Sequence, residues 1–480
     1  MGTLGRIVRN MVILFGSMVI CQIFGLVTTI YTARVLGVEE FGKLNFAYTI
    51  VYYFGLLILP GMSMVAIREI AKSKTKEEVK QYIATVMLLS IALALVAFTL
   101  LVIFTTFFNR TMQIKYLIFF FGLSMLINSF AVPWAFQGIE KMQYSELPGI
   151  IYSILYMNLV LWFIKGPTDT ILVPYLAFLV NTLTVMLSLF CLFRVIGNIR
   201  LNLNSAALKR IISAAVPLSL FSILGSTLTN IDKLILGFTR SSFELGIYAS
   251  AYRFILIIHM IMRNYYGAMF PVLSRFYHNS FASFKKLATK NANIMFIMSL
   301  PIAFGLAVLG GPIISLVFGA KYLPAAAVMQ ILIWTIIFIS INSLFSQGLI
   351  AAGRQNTVVI LLAIQLVCTG GLSLIFVPKF GMKAAALAVV FGDFIAFLIY
   401  YKEFAKIFKI PIARLIFKPL LSSLVMVVFL KLYSEASLFF RVSIGSSVYL
   451  FSLILMRGLP WEDVGLAWNS VFNNKKFGSS

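Results

Sequence analysis

Five ionisable residues fall inside stretches of this sequence that are otherwise apolar enough to cross a bilayer. Lys233, Arg253 and Arg263 are the bases, and Asp232 and Asp393 the acids. On insertion scales a charge at the centre of a membrane helix costs about 2.5–3.5 kcal/mol, so such residues normally face a bundle interior or a wet cavity. Arginine offers bidentate donors and lysine a point charge, the two chemistries that hold a phosphate. A surplus of cations in a membrane cavity therefore suits an anionic ligand, above all a pyrophosphate. Asp393, in "VVFGDFIAF", is a lone acid near mid-span that could take Na⁺ or H⁺ and couple their gradient. The alternatives for it are a carboxyl held neutral or one paired with an Arg of another span.

Asp232 and Lys233 are neighbours in "TNIDKLILGF". Adjacent residues diverge by about 100° around a helix, so the two cannot face one partner squarely. At a rise of about 1.5 Å per residue, Lys233 and Arg253 fall at a similar depth in the outer leaflet. Arg263 lies deeper toward the cytoplasm, one turn from His259. We expect Lys233, Arg253 and Arg263 to contact substrate, Asp232 to pair structurally with Arg253, and Asp393 to be the candidate coupling site. Arg34 and Arg68 stand at span ends and read as snorkelling or topology residues. The interior amides Gln22, Asn128, Asn158, Asn181, Asn342 and Gln365 read as glue between helices.

The elements that must position these residues follow from composition. The chain has 480 residues, 61% hydrophobic and only 11% charged, with a mean hydropathy of +0.99. Soluble domains carry about 25% charged residues. Apolar runs long enough to span recur from end to end, and segmentation predicts fourteen transmembrane helices. The short alternating strands of a membrane β-barrel do not occur. The basic N-terminus leads straight into the first span, with no cleavage site for a signal peptide. Of the 39 Lys and Arg, 25 lie on the side that holds both termini, 11 on the other and 3 inside spans. The positive-inside rule then puts both termini in the cytoplasm. The net charge of +24 thus reads as a topology signal and an attraction for anionic membrane lipids rather than for nucleic acid. The three cysteines and two histidines have no metal-ligand or disulfide spacing.

Repeats set the architecture. "EFGKLNFAY" (residues 40–48) matches "ELGIYASAY" (residues 244–252), and "AFQGIEKM" (135–142) has a partner in "FSQGLIAAGRQ" (345–355). Each match falls at the same point of a six-span unit. An even number of spans gives both units one orientation, related by an axis along the membrane normal. The expected fold is an all-α polytopic membrane protein: an N-terminal six-helix lobe (1–195), a cytoplasmic basic linker (196–211), a C-terminal six-helix lobe (212–404), two additional helices (405–457) and a cytoplasmic tail (458–480). The linker's second half is expected to be an amphipathic helix at the inner surface, and the tail to be disordered. Prolines at 60, 133, 174, 217, 271, 301 and 312 predict bends in the spans. The repeat also supplies a control. Thr28, Thr29, Thr49 and Leu59 stand where the second lobe has Asp232, Lys233, Arg253 and Arg263. The first lobe is built without these charges, so the fold does not require them.

"YTARVLGVEEFGKLNFAYTI", "GMSMVAIREIAK" and "WAFQGIEKMQY" closely resemble the polysaccharide-transport (Wzx-type) branch of the multidrug/oligosaccharidyl-lipid/polysaccharide exporter superfamily. The likeness extends over the whole length. It implies a flippase that moves polyprenyl-pyrophosphate-linked oligosaccharide units to the outer leaflet of the cytoplasmic membrane by alternating access, for cell-surface polysaccharide synthesis. It further implies a cationic central cavity, for which Lys233, Arg253 and Arg263 occupy suitable positions, and a polysaccharide polymerase and chain-length proteins as candidate partners. No cofactor is implied.

Other functions fit less well. A lipid II or related peptidoglycan-precursor flippase would share the fold. A cation-coupled multidrug exporter often carries cations, which a positive cavity opposes. A membrane glycan polymerase or ligase needs a large outer loop for its catalytic residues, and every outer loop here is short. No Walker A loop, GxSxG, HExxH or paired Cys/His occurs, so transport, not enzymatic catalysis, is the expectation.

Overall fold

The computed structural model describes residues 3–199 and 205–458. The core of the predicted linker and the predicted disordered tail from Leu459 on lie outside the described residues. Those described form α1 (Thr3–Leu36), α2 (Val38–Gly55), α3 (Met62–Lys72), α4 (Lys76–Phe107), α5 (Met112–Asn128) and α6 (Pro133–Gly138). There follow α7 (Met142–Phe163), α8 (Leu172–Ile196), α9 (Ser205–Leu228), α10 (Ile231–Thr239), α11 (Ser242–Asn279) and α12 (Phe281–Phe318). The last six are α13 (Ala325–Leu332), α14 (Thr335–Ala351), α15 (Gln355–Phe380), α16 (Met382–Phe404), α17 (Ile412–Leu432) and α18 (Leu438–Leu455). Among the described residues fourteen segments are long and apolar enough to cross a membrane, as the hydropathy of the sequence predicts. The second half of the linker is not a separate surface helix. From Ser205 it is already part of α9, and Ile211 is fully buried.

Several spans are discontinuous. α2 gives way at Gly55 to a 3₁₀ turn, Leu56–Ile58, after which Leu59 is left-handed (φ 53°) and Pro60 and Gly61 lead into α3. Proline has no N–H to continue a helix and biases its predecessor away from the helical region. α5 stops at Asn128, and Pro133 opens α6 in the first-turn position where its missing N–H costs nothing. The helices run on through Pro217, Pro271, Pro301 and Pro312, and Pro174 sits in the first turn of α8.

Residues 205–239 form two helices, not one continuous span. Thr229 Oγ1 and Asn230 Nδ2 both donate to the Ser226 carbonyl, at 2.9 and 3.1 Å. Side chains that take a helix carbonyl compete with the backbone ladder. α9 therefore ends at Leu228, and Asp232 and Lys233 occupy the first turn of a new nine-residue helix, α10.

Contacts divide the chain into two compact units. The first comprises Met1–Ser250, Val317–Pro324 and Leu362–Val389; the second comprises Ala251–Leu316, Ala325–Leu361 and Val390–Ser480. In the first, α2 and α11 approach backbone to backbone at Gly42 and Gly246. The motif helices α3 and α6 share a core of Met62, Val65, Ile70, Trp134 and Phe136 with Ile83 of α4 and Ile211 of α9. Glu69, almost wholly buried, is held there by Arg210 of α9 at 2.9 Å. In the second unit, α17 and α18 pack on α12 through Leu309, Met426, Leu430 and Leu453, and Tyr449 donates to the Ile297 carbonyl at 2.6 Å.

Candidate substrate-binding site

The breaks after α2 and α5 open a cavity of about 800 Å³ inside the first unit. Its wall is made by the end of α2 and its 3₁₀ turn, the start of α3, the last turns of α5, the start of α6, the first turns of α7 and the middle of α8. Ser90 of α4 and Ser226 of α9 complete it. Irregular backbone at membrane depth is tolerated only in protein or beside a wet cavity, and here it lies beside one. Five aromatic rings line the space, Tyr48, Tyr52, Phe121, Trp134 and Tyr152, together with ten Ser, Thr and Asn residues. Among the described residues no Asp, Glu, Lys, Arg or His lines it. Such a wall can stack on flat apolar faces and exchange hydrogen bonds, but it holds nothing to neutralise a charge.

The ionisable residues lie elsewhere. Asp232 is fully buried and Lys233 is 8% exposed, both in the first unit. The Tyr248 hydroxyl of α11 donates to Asp232 Oδ2. Arg253 is half-buried on α11 and belongs to the second unit. Arg263 falls on the same helix, with its side chain outside the described residues. Asp393, 6% exposed, is on α16 in the second unit, where its main-chain carbonyl accepts from Asn342 Nδ2 at 3.2 Å. Cavity and charge pair are nearly contiguous along the chain. Ser226 lines the cavity, and the helix break that ends in Asp232 and Lys233 begins three residues later. Tyr53, beside Tyr52 of the wall, donates to the Thr227 carbonyl at 3.2 Å and fastens α2 to that break.

The first half of the repeat carries threonines at the matching places. Thr28, Thr29 and Thr49 each donate to the carbonyl four residues back, at 2.7–2.8 Å. Each satisfies itself within its own helix and needs no partner across the fold. Tyr248 stands where the first repeat has Leu44, so Asp232 and its phenolic partner depart from the repeat together. That joint departure is the signal by which Tyr248 could be found in the sequence. Of the amides, Asn181 does act between helices, donating to the Ser124 carbonyl at 2.8 Å, as Asn342 does to Asp393. Asn158 bonds its own helix at Ile154, and Asn128 is exposed to the cavity. The cavity itself is what charge-based reasoning misses. Its sequence signal is the two proline interruptions at Pro60 and Pro133 within one lobe, since broken helices in a membrane line protein or a cavity.

Residues 7–277 match the model of the polysaccharide biosynthesis protein family, and residues 151–456 match that of the lipid II flippase MurJ. The capsular polysaccharide biosynthesis protein CapF of Staphylococcus aureus is 26% identical over 415 residues, 84% of this chain and 100% of CapF. Among solved structures, the lipid II flippase MurJ in an inward closed conformation has a TM-score of 0.74 at 18% identity, covering 94% of this chain and 99% of that one. An inward-facing multidrug resistance MATE family transporter of the MOP superfamily has a TM-score of 0.69 at 16% identity, covering 85% and 98%. At these identities the structural likeness is one of fold, and the fold is that of two-lobed membrane transporters.

Proposed function

Because the chain belongs to the polysaccharide biosynthesis protein family, we propose that it is a flippase for polyprenyl-pyrophosphate-linked oligosaccharide units, working by alternating access in the cytoplasmic membrane. The observation that carries this reading is the helix break at Thr229–Asn230, which starts α10 with a buried lysine a short way along the chain from Ser226 of the cavity wall. Half-helices whose N-termini point at an anionic group are a recurring transporter device, since the free N–H groups and the helix dipole favour negative charge. In this reading Lys233, Arg253 and Arg263 contact the pyrophosphate during the cycle, Asp232 is a structural carboxylate, and Asp393 couples transport to Na⁺ or H⁺. The positive-inside pattern supports cytoplasmic termini, and a polymerase and chain-length proteins would take up the product outside.

The test is translocation of a labelled polyprenyl-pyrophosphate oligosaccharide in proteoliposomes. Lys233→Ala and Arg253→Ala should each slow it at least tenfold. Normal rates in both, with normal insertion and folding, would sink the assignment of these cations. A second reading, a flippase for lipid II, is favoured by the match of residues 151–456 to the MurJ family. Lipid II supplied in the same vesicles separates the two.

A further inference from the structure

We infer that the cavity of the first unit binds the sugar part of the transported molecule and selects uncharged sugars over acidic ones. The inference rests on the proposed flippase reading, because it is that substrate's glycan the cavity would take.

Three observations carry it. The first is the chemistry of the wall. Sugars present apolar C–H faces edged by hydroxyls, and the groups that match them are aromatic rings interleaved with hydroxyls and amides. Tyr48 and Phe121 meet edge to face at 5.6 Å, with Tyr52 beside Tyr48, and Tyr152 of α7 lines the same space. A hydrocarbon ligand would match the rings but not the hydroxyls and amides interleaved with them.

The second is an unsatisfied hydroxyl in a residue of the wall. Ser124 Oγ is buried and makes no hydrogen bond to a described residue. Its position is fixed all the same, because Asn181 of α8 grips the Ser124 carbonyl at 2.8 Å. Burying a hydroxyl without a partner is unfavourable, so a ligand hydroxyl that reached Ser124 at the wall would gain a hydrogen bond that the protein alone does not make.

The third is the distribution of charge. The carboxylate adjoining the cavity, Glu146, is turned to the hydroxyls of Ser17 and Ser145 at 2.9 and 3.0 Å. No cation among the described residues lines the wall. A uronic acid or a peptide carboxylate entering this space would lose its hydration without gaining a counter-charge, whereas a neutral sugar exchanges water for matched groups. At about 800 Å³ the cavity lies within the range of small-molecule sites, roughly 300–1,000 Å³, and has room for a short oligosaccharide.

The test uses the purified full chain in detergent, without lipid carrier or translocation, and saturation-transfer NMR titrations with two probes. These are the neutral tetrasaccharide of N-acetylglucosamine and the tetrasaccharide of galacturonic acid. The neutral probe should bind saturably, with its C–H protons receiving the transfer, and at least tenfold more tightly than the acidic one. Tyr152→Ala should weaken the neutral probe at least tenfold, while Tyr152→Phe, which keeps the ring, should stay within about threefold of wild type, the usual context scatter of single contacts. Ser188→Lys, which adds a cation to the wall, should reverse the preference. Equal binding of both probes, no binding of the neutral one, or binding indifferent to Tyr152→Ala overturns the inference. Because nothing is flipped in this assay, its failure leaves the flippase reading standing. Intact sugar binding with no translocation of any lipid-linked glycan would instead defeat that reading alone.

Discussion

Gly42 and Gly246 are repeat mates that press their helices together reciprocally. A Cβ on Gly42 would lie 1.8 Å from the carbonyl oxygen of Ser242, and a Cβ on Gly246 would lie 2.1 Å from that of Val38. Val38 and Ser242 are themselves mates at the same offset as the glycines. Residue i of one repeat therefore meets residue j of the other, while j meets i, which is the signature of a two-fold axis passing between α2 and α11. The neighbouring glutamates of the same motif serve each repeat as ties. Glu40 accepts from Gln113 Nε2 at 2.6 Å, and Glu244 accepts from the Met382 amide at 3.0 Å. The shared letters of "EFGKLNFAY" and "ELGIYASAY" are thus explained by backbone approach and by anchoring of an adjacent helix start.

The atoms opposing both glycines are backbone, so no side-chain rotation can make room. Gly42→Ala and Gly246→Ala should each exceed the usual overpacking cost of about 1–3 kcal/mol, or about 5- to 150-fold in the population of any state containing the contact. We expect a lower thermal midpoint in detergent and at least a tenfold loss of transport. Gly225→Ala is the control, since a Cβ there meets nothing within 4 Å; gaining helix propensity, it should be neutral or slightly stabilising. A Gly42→Ala protein as stable and active as Gly225→Ala would refute the close packing.

Tyr248→Phe removes the hydroxyl that satisfies buried Asp232. Loss of one partner of a buried polar group costs about 1–3 kcal/mol. Replacing both residues with their repeat mates, Asp232→Thr with Tyr248→Leu, removes the need along with the partner. The double variant should therefore be more stable than Tyr248→Phe alone, with the strong non-additivity of contacting residues. Thermal melts of Asp232→Thr, Tyr248→Leu and the double form the cycle. Purely additive losses would show that the pair is not a unit.

Much of this was legible because the signals were long or expensive. Fourteen spans stand out because each sums hydropathy over many residues, and the intramembrane charges stand out because each carries an insertion penalty. The break at Thr229–Asn230 did not, because a hydropathy window averages across two polar residues whose effect is local capture of the Ser226 carbonyl. The cavity was hidden for a related reason. Serine and tyrosine cost far less than a charge in a membrane helix, so Ser124 or Tyr152 on the cavity wall looks no different in sequence from the same residue between helices. Sequence reasoning pairs Asp232 with Arg253, whereas the partner seen at its Oδ2 is the Tyr248 hydroxyl. That Tyr248 meets it depends on the register of α10 against α11, which local sequence does not fix.

In the proposed reading Asp393, buried on α16 beside Asn342, is the coupling site. In proteoliposomes, wild type should flip faster under an imposed Na⁺ or H⁺ gradient. Asp393→Asn, which keeps shape and hydrogen-bonding capacity, should flip at one gradient-independent rate. A variant that still responds to every gradient as wild type does would remove Asp393 as a coupling site.

The side chains that end α9 should matter to transport more than to stability. Thr229→Val and Asn230→Ala free the Ser226 carbonyl from both competing donors. The backbone ladder can then run on from α9 into α10, adding main-chain hydrogen bonds and removing a residue of poor helix propensity. Joining the helices would also change the rotation of α10 about its axis, turning Lys233 and Asp232 away from their present surroundings. The double variant is therefore expected to melt at the same temperature as wild type or higher, yet to flip at least tenfold more slowly, the usual exchange when a functional irregularity is regularised. Circular dichroism and thermal melts measure the first effect and the proteoliposome assay the second. Full transport by a protein with a continuous α9–α10 helix would mean that the break does not serve the site.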